Sequence, residues 1–218
     1  MPDEIKCHLI SLDIFFICLP TDLVLYFKDV FSKSNIFINQ IICSSYAKSI
    51  NYKDNLNLNE HTSFIDVGFN KTTIISYYND MFLSMNILPI GGNHITKDIS
   101  KILKIDLEQS ELIKINFDKN QKILTDKNIS LDTLQKVVFA RTEEILELCV
   151  KAVESNFLLF GKFKMVLMGE GSRILDNEYK DKIFFSTDID FLEETSENIC
   201  QSGFKLTMGL NKREVVIV

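Results

Sequence analysis

The alternation of hydrophobic and polar positions is clearest in the middle of the chain, where it predicts a small β-sheet. Three closely spaced apolar runs, Thr62 to Gly68, Thr72 to Tyr78 and Met81 to Ile90, have the composition of strands, and Asn79-Asp80 suits a two-residue turn between the last two. Together they predict a β-meander. The run Phe163 to Met168 predicts one more strand, fully buried, much further along the chain.

Helical spacing of apolar residues fills the segment between the meander and this last strand. Asn93 is predicted to cap a helix that runs to about Lys104, with four apolar residues recurring on one face: Ile95, Ile99, Ile102 and Leu103. A second short helix is predicted from Leu107 to Ile115. The longest helix is predicted to stop at Gly161 and is marked by six apolar positions: Leu134, Val138, Ile145, Leu148, Ala152 and Val153.

The chain before the meander has a pattern of its own, a small β-α-β fragment. It is predicted to contain a strand from Lys6 to Ser11, a helix capped by Thr21 and Asp22 that runs through Lys33, and a strand from Ile36 to Ile42. A helix from Cys43 to Ile50 follows, and the Asn-rich stretch Asn51 to Glu60 is predicted to be a surface loop. We therefore expect a soft domain boundary near residue 50.

Composition and charge narrow the functional classes. The net charge is -6 and the isoelectric point is near 5.2, so nucleic acid is not expected as a partner, because that binding rests on Lys and Arg. The five cysteines form no CxxC pair, which disfavours a zinc cluster or a disulfide framework and favours a reducing cytoplasm. No export signal is expected at the N-terminus. The most apolar window, Ile14 to Phe31, is not expected to cross a membrane, because it contains a proline and three charged residues: Pro20, Asp22, Lys28 and Asp29.

The turn from Asp66 to Thr73 contains groups that suit a phosphate clamp. A carboxylate at a strand end, such as Asp66, can hold a hydrated magnesium ion, and Gly68 would let the backbone approach phosphate oxygens. Thr72 and Thr73 can donate to those oxygens, and Lys71 adds a positive charge. The alternative is an ordinary β-hairpin, because turns commonly use Asp, Gly and Asn.

Two further glycine turns and one charged pair are candidates for ligand binding. Gly91-Gly92 precedes a predicted helix, whose amides and positive end favour an anion, and a purely structural turn is the alternative. Gly169-Glu170-Gly171-Ser172 follows a buried strand and would let a flat base or a ribose lie against the backbone, unless it is a plain strand-to-helix turn. Glu111 and Lys114 share one helix face and could reach ribose hydroxyls together, or could form a solvated surface pair.

The order of these motifs resembles half of an actin-like ATPase and, within that superfamily, the FtsA family of bacterial cell-division proteins. The most specific match is Leu88 to Ile99 (LPIGGNHITKDI), which resembles the family's Pro-x-Gly-Gly-x-x-Val-Thr-x-Asp-Ile signature. Phe64 to Thr73 (FIDVGFNKTT) resembles its second phosphate motif, and Leu167 to Ile174 (LMGEGSRI) its adenosine motif. Two helical motifs are matched as well, by Glu111 to Lys114 and by Ala140 to Leu146 (ARTEEIL).

The resemblance, which covers roughly Lys6 to Ile199, implies an α/β fold. This fold would be an actin-like ATPase (ribonuclease H-like) half-domain with a mixed sheet flanked by helices. Residues 1–50 would be a remnant of an accessory subdomain with a linking helix. Residues 51–218 would form the nucleotide-binding domain, with a small helical insert at about 95–150.

For the site, the resemblance implies ATP and magnesium as cofactors and assigns no catalytic residue. Asp66 would orient magnesium or its water, and Gly91 and Gly92 would line the cleft near the terminal phosphate. The other residues would contact the three parts of the nucleotide: the phosphates at Gly68, Lys71, Thr72 and Thr73, the ribose at Glu111 and Lys114, and the adenosine at Gly169, Gly171 and Ser172. Because Phe69, Asn70 and Glu170 replace motif glycines, at most weak ATP hydrolysis is expected.

For function, the resemblance implies a cell-division scaffold that recruits an FtsZ-type tubulin homologue, self-associates into actin-like filaments and acts with other division proteins. Its place would be the cytoplasmic face of the membrane at the division septum. The family's first phosphate loop and its amphipathic membrane helix have no match here, so the chain is expected to supply one wall of the cleft. The alternatives are a pilus-assembly actin-like ATP-binding protein, a pseudo-ATPase interaction module, and an active phosphotransferase, for which the motifs assign no base.

Overall fold

A computed structural model describes residues 14–53, 61–116, 130–157, 163–174, 188–191 and 200–206 of the chain. It separates the chain into two units, Met1–Cys43 and Ser44–Val218. The predicted strand from Lys6 to Ser11 lies outside the described residues. The assignment of residues 1–50 to an accessory subdomain and of residues 51–218 to a nucleotide-binding domain stays a prediction.

The described part of the first unit is built around helix α1 (Thr21–Ser32), close to where the sequence predicts it. Its N-cap is Pro20 rather than Thr21 or Asp22, and no side chain caps the helix. The predicted strand from Ile36 to Ile42 is wrong, since these residues have no regular secondary structure. The Phe37 side chain is 85% exposed, and apolar composition alone does not make a strand without a partner for its backbone groups.

The predicted helices and strands of the second unit occur in the predicted order. Its elements are α2 (Ser44–Lys53), β1 (His61–Val67), β2 (Thr72–Tyr78), β3 (Met81–Leu88), α3 (Gly92–Leu103), α4 (Leu107–Ile115), α5 (Leu131–Phe157), β4 (Phe163–Met168), a 3₁₀-helix (Glu170–Ile174) and β5 (Asp188–Phe191), followed by a helix at residues 200–206. The predicted meander, the three helices after it and the buried strand are thereby confirmed. Gly161, the predicted stop of the long helix, lies outside the described residues.

The strands form one mixed sheet in the order β3-β2-β1-β4-β5. Strands β1, β2 and β3 pair antiparallel, whereas β4 lies parallel to both β1 and β5. Asn79 and Asp80 join β2 to β3 with positive φ angles of 45° and 68°, as a type I′ hairpin turn requires. All seven residues of β1 are buried, because this central strand has a neighbour on each side and helices on both faces.

Helices cover both faces of the sheet. Alternate residues of β1 point in opposite directions, so Ile65 and Val67 pack with apolar residues of α3 and α5, while Phe64 packs with Tyr52 of α2 and with Tyr77. This mixed sheet between helices agrees with the predicted α/β architecture. Among the described residues, no helix combines the length and the apolar character needed to cross a membrane.

Three local predictions differ from the structure. The loop predicted from residue 51 onward is wrong for residues 51–53, which continue α2, and both Asn51 and Tyr52 are buried. Helix α3 begins after Gly91 instead of being capped by Asn93. Ile102, predicted for the buried face of α3, is 52% exposed.

Candidate functional site

The parallel pairing of β1 with β4 places the turns that follow them side by side. Asp66 pairs with Met168, so the turn at Gly68 and the turn at Gly169 leave the same edge of the sheet. Gly169 has a φ of +90°, and a methyl group there would overlap Asp66 Oδ1 and lie 2.7 Å from Val67 O. Only glycine fits this position without strain.

The start of α3 packs directly on the Gly68 turn. The amide of Gly92 donates to Gly68 O at 2.9 Å, and the amide of Asn93 donates to Phe69 O at 2.7 Å. A methyl group on Gly91 would overlap Gly68 O, so the second glycine turn also depends on close backbone approach. Because these carbonyls accept the first amides of α3, the helix needs no side-chain cap, and those amides are engaged within the protein.

The third glycine turn meets the second. An ideal Cβ on Gly92 would lie 3.7 Å from Gly171 Cα and 3.4 Å from Lys114 Nζ. The three glycine turns predicted from sequence, at Gly68, Gly91-Gly92 and Gly169-Gly171, therefore meet at one place. The surface they form is lined by backbone atoms, which a flat or highly charged ligand can approach closely.

Glu111 and Lys114 lie beside this surface and share one face of α4, as their spacing predicts. Lys114 Nζ donates to Glu111 Oε2 at 2.7 Å, to Thr96 Oγ1 at 2.9 Å and to Gly92 O at 3.2 Å. The Thr96 hydroxyl in turn donates to Glu111 Oε2. Lys114 also lies 5.9 Å from the ring centroid of Phe69, whose side chain is exposed. Thr96 belongs to the Leu88–Ile99 motif, but it is not among the site residues predicted from the sequence.

Some of the predicted phosphate-binding hydroxyls are used inside the protein. Thr72 is fully buried, and its hydroxyl donates to Ile90 O at 2.7 Å, which ties the start of β2 to the residue before the second glycine turn. The buried Ser172 hydroxyl donates to Gly169 O at 2.6 Å and closes the 3₁₀ turn. Lys71 is exposed and Thr73 is half-buried. The charge available to an anion at this turn therefore comes from Lys71.

Asp66 forms a buried ion pair that the sequence did not reveal. Its Oδ1 lies 2.7 Å from Lys48 Nζ, and its Oδ2 accepts a hydrogen bond from Ser45 Oγ at 2.6 Å. Lys48 and Ser45 both come from α2, which carries none of the recognised motifs. No group of three or more His, Cys, Asp or Glu side chains suited to a metal occurs in the described ranges. The donor set around Asp66 does not fit a divalent cation, because an ammonium already neutralises the carboxylate.

An ion-pair network ties α3 to α5 behind the site. Arg141 Nε donates to Asp98 Oδ2 at 2.5 Å, and Arg141 Nη1 donates to Glu144 Oε2 at 2.5 Å. The hydrogen bond to Asp98 raises the pKa of Arg141. The Leu88–Ile99 and Ala140–Leu146 motifs, which lie far apart in sequence, are joined through this arginine.

Comparison with protein families points in the same direction as these motifs. A family model described as "Cell division protein FtsA" matches residues 63–177, more than half of the chain. The FtsA protein of Buchnera aphidicola subsp. Schizaphis graminum is 27% identical over 201 residues, which cover 82% of this chain and 45% of that protein. The FtsA protein of Bacillus subtilis is 32% identical over 118 residues, or 47% of this chain and 26% of that protein. The chain spans less than half of the length of these relatives.

Solved structures confirm the predicted fold. MreB5 of Spiroplasma citri bound to ADP superposes with a TM-score of 0.64 at 14% identity and covers 89% of this chain and 68% of that one. The PilM–PilN type IV pilus biogenesis complex gives a TM-score of 0.63 at 15% identity, with coverage of 89% and 58%. At these identities the likeness concerns the fold alone, which is that of the actin-like ATPases.

Proposed function

The chain belongs to the FtsA family of cell-division proteins. On this basis, we propose that it acts as a division scaffold and binds an adenine nucleotide at its three glycine turns. The observation that carries this proposal is the meeting of Gly68, Gly92 and Gly171 at the edge of the sheet, beside Glu111 and Lys114. Internal packing already requires glycine at Gly91, Gly169 and Gly171, where a methyl group would overlap neighbouring atoms. The absence of side chains at these turns also lets a ligand lie against the backbone, which supports the proposal.

The phosphates would lie over the Gly68 turn. Here Gly68 lacks a side chain and is half-buried, and Lys71 supplies an exposed positive charge. The loop is held rigidly, because its Gly68 amide donates to Lys71 O at 2.9 Å while its carbonyls accept the first amides of α3. Such pre-organisation reduces the entropy lost when a flexible triphosphate is bound.

The ribose and the base would follow along α4 and the third glycine turn. Glu111 can accept hydrogen bonds from ribose hydroxyls, and Lys114 holds its carboxylate in place at 2.7 Å. The adenosine would pack against Gly169 and Gly171, where side chains are absent. The residues around Asp66 do not fit magnesium, which the fold family implies, because Lys48 and Ser45 already engage both oxygens of the carboxylate.

The scaffolding role rests on family membership. We propose that the protein acts at the cytoplasmic face of the membrane at the division site, self-associates as actin-like proteins do, and contacts an FtsZ-type tubulin homologue and other division proteins. The helices from α3 to α5, which overlap the helical insert predicted at about 95–150, are the proposed contact surface for FtsZ. Sedimentation with polymerised FtsZ tests this contact, and a chain that remains in the supernatant would contradict it.

One observation favours a second candidate, an interaction module that has lost its nucleotide. The Asp66 carboxylate and the Thr72 hydroxyl, both expected to serve the ligand, are engaged by Lys48 and by Ile90 O. A protein selected only for partner binding would keep the fold and fill such positions with internal contacts. The two candidates differ in whether ATP binds at all.

Calorimetric titration with ATP separates the two candidates. The first predicts saturable binding, and replacing Lys114 with methionine should weaken it about tenfold, because Glu111 loses the cation that orients it. Lys136→Met is the matched control, since Lys136 pairs with Asp132 on the exposed face of α5. Its affinity should equal that of the original chain. Absence of any binding heat at high ATP concentration would refute the nucleotide proposal and support the interaction module.

A further inference from the structure

Helix α2 contributes a lysine that pairs with Asp66, the carboxylate to which the family resemblance assigns magnesium. Lys48 Nζ lies 2.7 Å from Asp66 Oδ1, and the two side chains are only 6% and 10% exposed. Ser45 Oγ donates to the second oxygen at 2.6 Å, so each oxygen of the carboxylate has a partner from α2. A fully formed, buried pair of this kind has its charges matched within the protein.

The position of the pair relative to the proposed ligand surface is also defined. Asp66 precedes the Gly68 turn by two residues, and Gly169 packs so tightly on Asp66 Oδ1 that a methyl group there would overlap it. The carboxylate is thus enclosed by α2 on one side and by the third glycine turn on the other. A cation that reached Asp66 from the ligand surface would have to compete with the Lys48 ammonium.

Electrostatics makes that competition unfavourable for a divalent ion. Asp66 and Lys48 together carry no net charge, so the attraction that a lone carboxylate exerts on magnesium is largely cancelled. An approaching divalent ion would also be repelled by the ammonium a few ångströms away. Displacing Lys48 would break a buried ion pair, which is strongly disfavoured.

We propose that Lys48 is the resident cation of Asp66, and that ATP binds this chain without a divalent metal at that carboxylate. Metal-free ATP binding rests on the proposed function, whereas the role of Lys48 rests on the ion pair alone. The phosphate charge is then met at the turn itself, where Lys71 is exposed. Lys48 determines the cofactor requirement of the site from a helix that carries no nucleotide motif.

The test compares ATP affinity in excess magnesium with affinity in EDTA. In the original chain, magnesium should not bind at Asp66. The ratio of ATP affinity in magnesium to ATP affinity in EDTA should therefore equal the ratio in the doubly neutral variant Lys48→Met/Asp66→Asn. Lys48→Met alone frees the carboxylate and should bind ATP at least about tenfold more tightly with magnesium than without it. Lys53→Met is the matched control, because Lys53 is on the same helix but pairs with the exposed Asp80.

A tenfold magnesium effect in the original chain that disappears in the doubly neutral variant would overturn the proposal. This comparison does not depend on whether Lys48→Met alone folds, since the double variant removes both charges of the Lys48–Asp66 pair. Circular dichroism establishes folding of each variant.

A second readout works without nucleotide and keeps the two proposals separable. Manganese added to the free chain should not preferentially broaden the amide resonances of Gly68 and Gly169 in the original chain, but should do so in Lys48→Met. Preferential broadening in the original chain, or its absence in a folded Lys48→Met, would overturn the role of Lys48. If no variant binds ATP, the proposed function fails, and the manganese result still decides this inference.

Discussion

Replacing Gly169 with alanine tests the packing of the candidate site at its tightest point. The φ of +90° is strained for an L-residue by about 1–2 kcal/mol. The new methyl group would overlap Asp66 Oδ1 and lie 2.7 Å from Val67 O, so backbone or ion-pair atoms must move, at an overpacking cost of about 1–3 kcal/mol. The free energy of unfolding should therefore fall by about 2–5 kcal/mol.

Urea denaturation followed by circular dichroism measures this change. With a urea dependence of about 2 kcal/mol per molar, the midpoint should fall by roughly 1–2.5 M. Gly203→Ala is the matched control, because Gly203 lies in the helix at residues 200–206 and a methyl group there meets no atom within 4 Å. That substitution should raise stability by about 0.5–1 kcal/mol, the helical advantage of alanine over glycine.

A stability change of less than about 1 kcal/mol in Gly169→Ala, with Gly203→Ala as expected, would contradict the predicted overlap at Gly169. Such a result would mean that the third glycine turn does not pack on Asp66. An equal loss of stability in both variants would also contradict the packing of Gly169 on Asp66, because the loss would then reflect a general effect of alanine.

Two further predictions concern buried titratable groups. Burial lowers the pKa of His61 from 6.5 and so favours its neutral form in the folded state. The unfolded chain therefore binds more protons at low pH. The stability present above pH 6.5 should be lost as the pH falls. His61→Phe should lose less stability over this range in urea titrations, and a parallel pH dependence of both proteins would exclude His61 as the cause. Burial raises the pKa of the Cys149 thiol to about 12, whereas Cys18 is exposed. Iodoacetamide labelling of the native protein, followed by mass spectrometry, should modify Cys149 at least about a hundredfold more slowly than Cys18, and similar rates would contradict its burial.

Much of the second unit follows from local patterns. Strands β1 to β4 and helices α3 to α5 were predicted in type and order, because side chains repeat every two residues in a strand and about every 3.6 in a helix. The turn at Asn79-Asp80 follows from the positive φ angles that these residues tolerate. Individual elements did not indicate the fold class. Only the order of the motifs along the chain indicated an actin-like sheet.

Where a prediction failed, a contact distant in sequence decided the outcome. Asn51 is polar and next to an Asn-rich segment, yet it is buried in α2 and donates to Ser202 Oγ at 3.0 Å. The Ile36–Ile42 segment has strand composition but remains irregular, because composition does not provide a neighbouring strand. The start of α3 is set by carbonyls of the Gly68 turn, which a local search for capping side chains cannot detect.

The candidate site divides in the same way. Sequence alone indicated the three glycine turns and the Glu111–Lys114 pair as candidates, because their order along the chain resembles that of the FtsA-family motifs, although each alone also suits an ordinary turn or a surface pair. Which groups remain available to a ligand was decided by tertiary structure, through Lys48 on Asp66 and Ile90 O on Thr72. The physical reason is that a backbone pattern depends on neighbours in sequence, whereas the charge and hydrogen bonding of a buried side chain depend on whatever the fold brings within about 3 Å of it.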